Sequence, residues 1–395
     1  MKKKILFAYP EMMVGGSTTS LLSLLNSIDY DKFDVDLVLY KNQGVLLEFI
    51  PDKVNLLPQA SIYGEGLFND IKKIIRSTLN GSIMYSLFNE MKYKKKIGLN
   101  EQTLAYAQSK ISRDLSLNYD VAIGFLENWS NAFILNNVNA QKKIIWIHVD
   151  YLDAGLIPKI DYDAFNNADN IINVSSECLN NFKNAFPDYS EKSLVLENIS
   201  SVKHIVKMSN HPVDQLIHSS FEGISFITVC RLSIYHKGLD SAIQAFKRIK
   251  EEGHSFKWVI IGDGPDRKEV EELIEQANLK TNIILTGNKI NPYPYFKQCQ
   301  VFLMPSRYEG KPMAVTEAQI LGLPVIATEY ASAKEQIIND FNGILVSNDE
   351  EGIYKGIKVI FESKLNIKKY SRNINVKRIE EVNNDVLNKF YDTLQ

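Results

Sequence analysis

Two glutamates, Glu309 and Glu317, are the residues of this sequence whose type and spacing most directly suggest chemistry. They lie in residues 305–324, PSRYEGKPMAVTEAQILGLP, and seven residues separate them. Apolar runs at 301–304 and 325–327 flank the stretch, so the pattern predicts a strand, a loop, a helix and a second strand. Two carboxylates at this spacing can form an acid/base pair or can accept hydrogen bonds from the hydroxyl groups of a ligand.

The predicted helix places these carboxylates on either side of its amino end. Pro312 suits the first helical turn, where its missing N–H group has no cost. Glu309 then precedes the helix, and Glu317 lies about one and a half turns inside it. Between them we expect a pocket of backbone N–H donors, from Gly310, Lys311 and Met313. This arrangement suits a polyhydroxylated ligand such as a sugar nucleotide. An isolated pair of glutamates would favour the alternative, a capping carboxylate and one solvated glutamate.

Two cations follow the predicted strand at 224–229. Arg231 comes directly after it, and Lys237-Gly238 opens the next helix. A guanidinium can hold phosphate oxygens with two hydrogen bonds, and a helix amino end adds a favourable field, so the pair suits a diphosphate. The alternative is a pair of surface cations with no measurable effect.

Glycine turns follow two further strands. Gly15 and Gly16 follow the strand at 5–8 in a strand–helix–strand unit, at the strand end where ligands bind in open α/β sheets. Gly262 and Gly264 follow the strand at 258–261. The turn at Gly15 and Gly16 does not have the GxGxxG pattern, so NAD is not indicated, and it can also be only a tight turn. Residues 262–265 (GDGP) make a tight turn into the next helix.

Three other polar residues have types that occur in catalytic or metal-binding sites. His148 lies at the carboxyl tip of the strand at 143–147, but a lone histidine is more often structural than catalytic. Asp34 and Asp36 imitate a DxD metal motif but begin the strand VDLVL without further ligands nearby. We therefore predict no metal site there.

The totals fit an ordinary globular protein with more than one domain. A length of 395 residues indicates two domains, and a net charge of −2 gives no sign of nucleic-acid binding. The 3 cysteines have no metal-binding spacing and indicate a reducing compartment. No apolar run approaches the ~18 residues of a membrane span. We expect a cytoplasmic protein, with any membrane contact peripheral on the inner face.

The patterns change along the chain and predict the domain limits. We predict an N-terminal Rossmann-like domain over 1–205, a nucleotide-sugar-binding domain over 206–375 and a C-terminal helix over 376–395. An insertion at about 60–118 interrupts the first domain. Its stretch 67–96 is basic and amphipathic, so it can lie on an anionic membrane, although a lysine run is more often a solvated face.

Taken together, the motifs resemble those of family 4 glycosyltransferases with the GT-B fold. In that fold two Rossmann-like α/β domains face each other across a cleft, and a C-terminal helix crosses back to the first domain. The resemblance covers most of the chain, is strongest over 229–346 and fades over 60–118. It is carried by Gly15-Gly16, Arg231, Lys237-Gly238, 262–265 (GDGP), 291–293 (NPY), Ser306, Glu309-Gly310, Glu317-Ala318, 322–324 (GLP) and Asn342-Gly343.

The resemblance implies a role for each matching residue. Arg231 and Lys237 would neutralise the donor diphosphate, Glu317 would hold the ribose, and Glu309 would contact the transferred sugar. The remaining implied donor contacts are Gly15, Gly16, Gly262, Gly264, Gly310, Lys311, Pro312 and Met313. His148 would lie near the reaction centre. The family retains anomeric configuration and needs no metal or other cofactor. Lys311 departs from the apolar residue common at its position, while the backbone donors remain.

The resulting hypothesis is a hexosyltransferase that uses a nucleotide-sugar, most simply a UDP-sugar, with a lipid-linked or growing surface polysaccharide as acceptor. Three alternatives remain open: transfer to a small soluble acceptor, a GT-B nucleotide-sugar epimerase, and a non-catalytic partner subunit. Intact Arg231, Lys237, Glu309 and Glu317 argue against the last.

Overall fold

The protein is described by a computed structural model that covers residues 2–61, 101–113, 115, 117–217 and 220–395. The basic stretch 67–96 and most of the predicted insertion lie outside these residues. Contacts divide the chain into two compact units. Unit 1 comprises Met1–Met13, Leu24–Glu197 and Lys389–Gln395, and unit 2 comprises Val14–Ser23 and Asn198–Asn388. The main division between the units thus falls at 197/198, whereas the sequence predicted the domain boundary at 205/206.

Unit 1 is built on a 7-stranded sheet with the order β3-β2-β1-β4-β5-β6-β7, in which all described pairs are parallel. Apolar runs such as ILFAY (residues 5–9) in an interior strand are buried, as expected when helices cover both faces. The strands are β1 (Lys3–Tyr9), β2 (Phe33–Leu39), β3 (Val54–Leu56), β4 (Asn118–Gly124), β5 (Asn139–Ile147), β6 (Asn170–Asn173) and β7 (Ser193–Val195).

Helices connect these strands in the alternation that parallel sheets require. Short 3₁₀ turns occur at Leu47–Phe49 and Pro187–Lys192. The described α-helices up to β7 are α1 (Gly16–Ser27), α2 (Glu101–Lys110), α3 (Trp129–Asn137), α4 (Pro158–Phe165) and α5 (Ser176–Ala185). No helix among the described residues of the chain combines the length and apolar character needed to cross a bilayer.

Unit 2 contains a 6-stranded sheet with the order β10-β9-β8-β11-β12-β13, again with parallel pairs. Its strands are β8 (Ile224–Val229), β9 (Phe256–Ile261), β10 (Ile283–Leu285), β11 (Val301–Met304), β12 (Val325–Thr328) and β13 (Gly343–Val346). The chain moves outward from β8 through β9 to β10, then returns to β11 on the other side of β8. In open α/β sheets this reversal marks the ligand crevice at the carboxyl ends of the strands.

The helices of unit 2 begin earlier than the sequence suggested. Helix α6 (Val202–Met208) spans the boundary that the sequence predicted at 205/206. The next helices are α7 (Ile234–Lys237), α8 (Leu239–Glu251), α9 (Arg267–Gln276), α10 (Tyr293–Phe296), α11 (Met313–Ile320), α12 (Ala333–Gln336), α13 (Glu350–Glu362) and α14 (Leu365–Asn373). On the two faces of the sheet, Trp258 and Phe296 are fully buried within apolar clusters.

The C-terminal helix α15 (Val376–Thr393) contributes residues to both units. Within unit 2, Asn383 exchanges hydrogen bonds with the backbone of Ser200. Within unit 1, the ring of Phe390 lies 6.4 Å from that of Phe7, and Tyr391 stacks on Phe33 at 5.5 Å. Residues 389–395 are therefore part of the packed core of the first unit.

Candidate active site

Lys237 and Glu309 form an ion pair at the carboxyl ends of the two central strands of unit 2. Lys237 ends α7, shortly after β8, and Glu309 follows β11. Lys237 Nζ lies 2.6 Å from Glu309 Oε1, and the side chains are only 20% and 12% exposed. The buried Ser306 hydroxyl donates to the same Oε1 at 2.6 Å. The two residues implied to hold the diphosphate and the sugar are thus already in contact.

The charges of this pair set the protonation states around it. Burial alone would lower the pKa of Lys237, but the attraction of the Glu309 carboxylate outweighs it and raises the pKa. Lys237 therefore carries a full positive charge at neutral pH. Burial raises the pKa of the neighbouring Cys230 thiol to about 12. This side chain is therefore uncharged at neutral pH.

Arg231 follows β8 with an exposed side chain, and it makes no ion pair with any described residue. It lies close enough to Lys237 to oppose the charge of that lysine. Two cations therefore converge at the end of β8. An uncompensated guanidinium beside a lysine is well suited to a ligand with two phosphate groups.

Glycines allow the loops that carry these cations to pack backbone against backbone. Gly238 has φ +58°, and a Cβ there would lie 2.1 Å from the carbonyl oxygen of Pro305. Gly262 has φ +139°, and a Cβ there would lie 1.8 Å from the carbonyl oxygen of Cys230. Gly264 would meet Leu232 O at 2.3 Å. The structure therefore gives Gly262 and Gly264 a packing role that sequence analysis did not foresee.

Sequence analysis also missed a clamp between Arg307 and Asp240. The Arg307 guanidinium donates to both Asp240 carboxylate oxygens at 2.9 Å and to Ser241 Oγ at 2.9 Å. The Arg307 backbone N–H donates to His236 O at 2.8 Å. This bidentate pair ties the segment that carries Lys237 to the loop that carries Glu309. Nothing in the local sequence distinguishes Arg307 from an ordinary loop cation.

Glu317 lies inside α11, 5% exposed, and accepts a hydrogen bond of 3.0 Å from the Tyr293 hydroxyl. Burial raises the pKa of Glu317 to about 7, and the hydrogen bond from Tyr293 opposes that rise. The carboxylate is therefore held by one partner in an apolar environment. Tyr293 was recognised as a motif residue in the sequence, but its contact with Glu317 was not predicted.

Because Glu317 has a raised pKa, we expect donor affinity and protein stability to depend on pH. If Glu317 accepts donor hydroxyls as a carboxylate, donor affinity should rise as the pH increases through about 7. The same raised pKa gives stability that is present below the unfolded value of about 4.3 and is lost as the pH rises through about 7. The Glu317→Gln variant should lose both dependences, measured by donor titration and by chemical denaturation from pH 5 to 8. A wild-type donor affinity that does not vary over this range would contradict the assignment.

The start of α11 differs from the sequence prediction in one residue. The helix begins at Met313, and Pro312 precedes it with ψ 120°, outside the helix.

The Lys311 side chain lies 3.4 Å from Glu335 and is only 11% exposed. Lys311, which departs from the family pattern, therefore has its side chain next to the Glu335 carboxylate of α12. The backbone amides of 310, 311 and 313 remain predicted donor contacts.

The glycine loop before α1 belongs to unit 2 by its contacts. A Cβ on Gly16 would lie 3.9 Å from the Met313 side chain, which is ordinary contact, and neither Gly15 nor Gly16 adopts a positive φ. The backbone therefore does not itself require glycine here. Space for a ligand remains the predicted reason.

His148 lies in unit 1, after β5, and packs against the rings of Phe125 and Trp146 at 4.9 and 6.0 Å. Its backbone N–H donates to Glu127 Oε2 at 2.9 Å. Burial lowers the pKa of His148 to about 3, although a backbone hydrogen bond at Phe125 opposes this shift. The imidazole is therefore neutral at physiological pH. Its Nε2 atom is buried without a hydrogen-bond partner among the described residues.

Asp34 and Asp36 each contact other protein side chains. Asp36 accepts hydrogen bonds from the Tyr119 hydroxyl and the Asn55 amide, each at 2.8 Å. Asp34 lies 3.7 Å from Lys2 on the surface. Asp34 is exposed and Asp36 is half-buried, two residues apart on the same face of β2.

The structure thus brings together Lys237, Glu309, Arg231 and the turns at Gly262 and Gly264 at one end of a parallel sheet. Two parallel-sheet units with such a crevice are the architecture of the GT-B class. A Staphylococcus aureus TarM variant, solved with fondaparinux, alpha-GlcNAc-glycerol and UDP, matches with a TM-score of 0.70 at 15% identity, over 100% of this chain and 100% of that one. The prediction of an α/β protein with the GT-B fold is confirmed.

Comparison with protein families agrees with this fold. Residues 221–378 match the family described as glycosyl transferases group 1, and this match supports a GT-B glycosyltransferase. It is 30% identical to an uncharacterized glycosyltransferase of Methanocaldococcus jannaschii over 51% of this chain and 51% of the relative. It is 24% identical to the poly(ribitol-phosphate) alpha-N-acetylglucosaminyltransferase of Staphylococcus aureus over 68% of this chain and 52% of the relative. The chain therefore spans about half the length of these curated relatives.

Proposed function

We propose that this protein transfers a sugar from a UDP-sugar to a lipid-linked or growing surface polysaccharide, with retention of anomeric configuration. The observation that carries the proposal is the contact between Lys237 and Glu309, with Arg231 beside it. One end of the sheet then offers cations for a diphosphate and a carboxylate for sugar hydroxyls. The relative whose name specifies a poly(ribitol-phosphate) acceptor supports a polymeric acceptor.

The chemistry follows from where charge develops. When the bond between the anomeric carbon and the diphosphate oxygen breaks, negative charge builds on the leaving group. Arg231 and Lys237 stabilise that charge, which is commonly the largest single contribution to catalysis. Lys237 has three N–H donors, so it can contact a phosphate oxygen while it keeps Glu309 oriented. The free oxygen of Glu309 can then accept from a sugar hydroxyl.

The remaining roles extend this scheme. Glu317 accepts hydrogen bonds from the ribose hydroxyls, and the Tyr293 hydroxyl orients it. His148 is neutral and lies near the reaction centre, as the family resemblance implies. The reaction requires no metal, because the two cations supply the electrostatic stabilisation. The basic stretch 67–96 provides peripheral contact with an anionic membrane.

A screen of nucleotide diphosphates and nucleotide-sugars by thermal stabilisation tests the donor class. A donor at about 100 times its Kd should raise the free energy of unfolding by about 2.7 kcal/mol. UDP and UDP-sugars should stabilise the protein most, and GDP-sugars and ADP-sugars should have little effect. Stabilisation by another base alone would overturn the choice of uridine.

Product analysis tests the reaction itself. Incubation with the stabilising donor and candidate acceptors should give a glycosylated acceptor with the anomeric configuration of the donor. Donor conversion without any acceptor product would favour the epimerase alternative, and a product of inverted configuration would overturn retention.

Vesicle flotation tests the membrane contact. A variant with Lys92, Lys94, Lys95 and Lys96 replaced by glutamine should bind anionic vesicles more weakly than wild type.

A further inference from the structure

A cavity in unit 2 lies at the end of the sheet opposite the Lys237–Glu309 pair. It has a volume of about 410 Å³ and lies beside the residues that precede β11 and β12. One wall is formed by α14, whose Ser371 hydroxyl donates to Gly322 O at 2.6 Å. Because Glu309 follows β11 at its carboxyl end, a ligand in this cavity cannot be the donor that Glu309 contacts.

Three cations and an apolar floor line this cavity. The cations are Lys297, Lys368 and Arg372, and no lining residue is acidic. Lys368 and Arg372 are one helical turn apart on α14, so their side chains share a face. Neither of them forms an ion pair within the part of the chain that the structure describes. Lys297 donates to the neutral Asn210 amide oxygen at 2.5 Å. The positive charge of the cavity is therefore not neutralised by carboxylates.

The surrounding surface reinforces this charge. Residues 363–379 contain six cations and no acidic residue. Two of the six are compensated, since Lys369 lies 3.5 Å from Asp340 and Arg378 lies 3.2 Å from Glu381. Leu365, at the start of the same helix, is 74% exposed. An exposed leucine among cations is a combination that favours an amphiphilic anionic partner.

The chemistry of the lining selects the kind of ligand. Burial raises the pKa of Cys299 to about 12, so the thiol beside the cavity is uncharged and the lining offers no anionic ligand to a metal. A guanidinium and two ammonium groups suit a phosphate group. Leu321, Leu323 and Ile367 in the lining suit an apolar body attached to it.

We propose that this cavity binds the phosphate group of a phosphate ester with an apolar body, at a site separate from the donor site. The ester can be the head group of an anionic phospholipid or a soluble organic phosphate. In the first case α14 lies on the membrane surface with Leu365 inserted. In the second case the cavity is a regulatory or acceptor-side subsite for a dissolved molecule.

The Lys368→Glu/Arg372→Glu variant tests the site, with Lys280→Glu/Lys355→Glu as the matched control. The control side chains are 63% and 70% exposed and lie elsewhere on unit 2, and the net charge changes equally. Sedimentation with vesicles of phosphatidylglycerol in phosphatidylcholine measures lipid binding. Calorimetric titration with hexyl phosphate, whose alkyl chain is the apolar body, measures binding of a soluble ester. Lys237→Met is titrated in parallel, so that binding at the donor site can be recognised.

The pocket variant should bind at least about tenfold more weakly than wild type in one of the two arms, while the control and Lys237→Met retain binding. Loss in the vesicle arm identifies a lipid head group, and loss in the titration arm identifies a soluble ester. The Lys368→Gln/Arg372→Gln variant should show an intermediate loss. The proposal is overturned if wild type binds in neither arm, or if pocket and control variants lose binding equally. Donor stabilisation should be unchanged in both variants, which separates this outcome from failure of the proposed function.

Discussion

The Lys237→Met variant is expected to turn over the nucleotide-sugar donor at least about 100-fold more slowly than wild type, because it removes a fixed charge at the leaving diphosphate. It also leaves the Glu309 carboxylate, only 12% exposed, without its cation and facing an incoming dianion. The measurement is kcat/KM for the donor at saturating acceptor. Direct titration with UDP should show a parallel loss of affinity.

Two further variants separate the electrostatic effect from a loss of structure. Lys280→Met removes an exposed lysine of unit 2 and should leave donor kinetics unchanged. Lys237→Met/Glu309→Gln removes the unpaired charge, so it should recover stability relative to Lys237→Met without recovering turnover. Wild-type donor kinetics in both Lys237→Met and Arg231→Ala would refute the assignment of the diphosphate site.

The Gly262→Ala variant is expected to lose more than about 3 kcal/mol of unfolding free energy, from a disfavoured backbone conformation and a direct clash. Gly262 has φ +139°, and the new Cβ would lie 1.8 Å from the Cys230 carbonyl oxygen. To relieve this clash, the loop after β8 must move, and with it Arg231. Donor affinity should therefore fall together with stability, as measured by chemical denaturation and donor titration.

Gly253→Ala is the matched control for that experiment. Gly253 also has a positive φ, +81°, but a Cβ there would meet no atom within 4 Å. The substitution should lower the free energy of unfolding by only about 1–2 kcal/mol, the cost of a side chain at positive φ, and donor affinity should not change. Equal losses in the two variants would show that the contact with Cys230 has no effect of its own.

Sequence patterns predicted the strands of unit 2 and the loops that follow them, because buried parallel strands are short apolar runs between turn residues. They placed Lys237 after one strand and Glu309 after another. They could not predict the contact between the two, since that depends on β8 and β11 being neighbours in the sheet. Strand order across a sheet is not encoded in local periodicity.

The ion-pair partners of the cations around the site could not be predicted from the sequence either. Lys311 was recognised as a departure from the family pattern, but its partner Glu335 lies on the following helix. Arg307 is separated by 67 positions from Asp240, and only the fold shows that the pair joins two loops of the site. The start of α11 was displaced by one residue because Pro312 has an extended ψ. Proline fixes φ but leaves ψ free to end or begin a helix.

The division of α1 and α15 between the two units has a consequence for any attempt to separate them. Residues 14–23 belong to unit 2 although they precede most of unit 1, and residues 389–395 belong to unit 1 although they follow unit 2. Cleavage between Glu197 and Asn198 would yield two fragments, each of which carries residues that belong to the other unit. Neither fragment would be a complete folding unit, and the two would complement each other only as a pair.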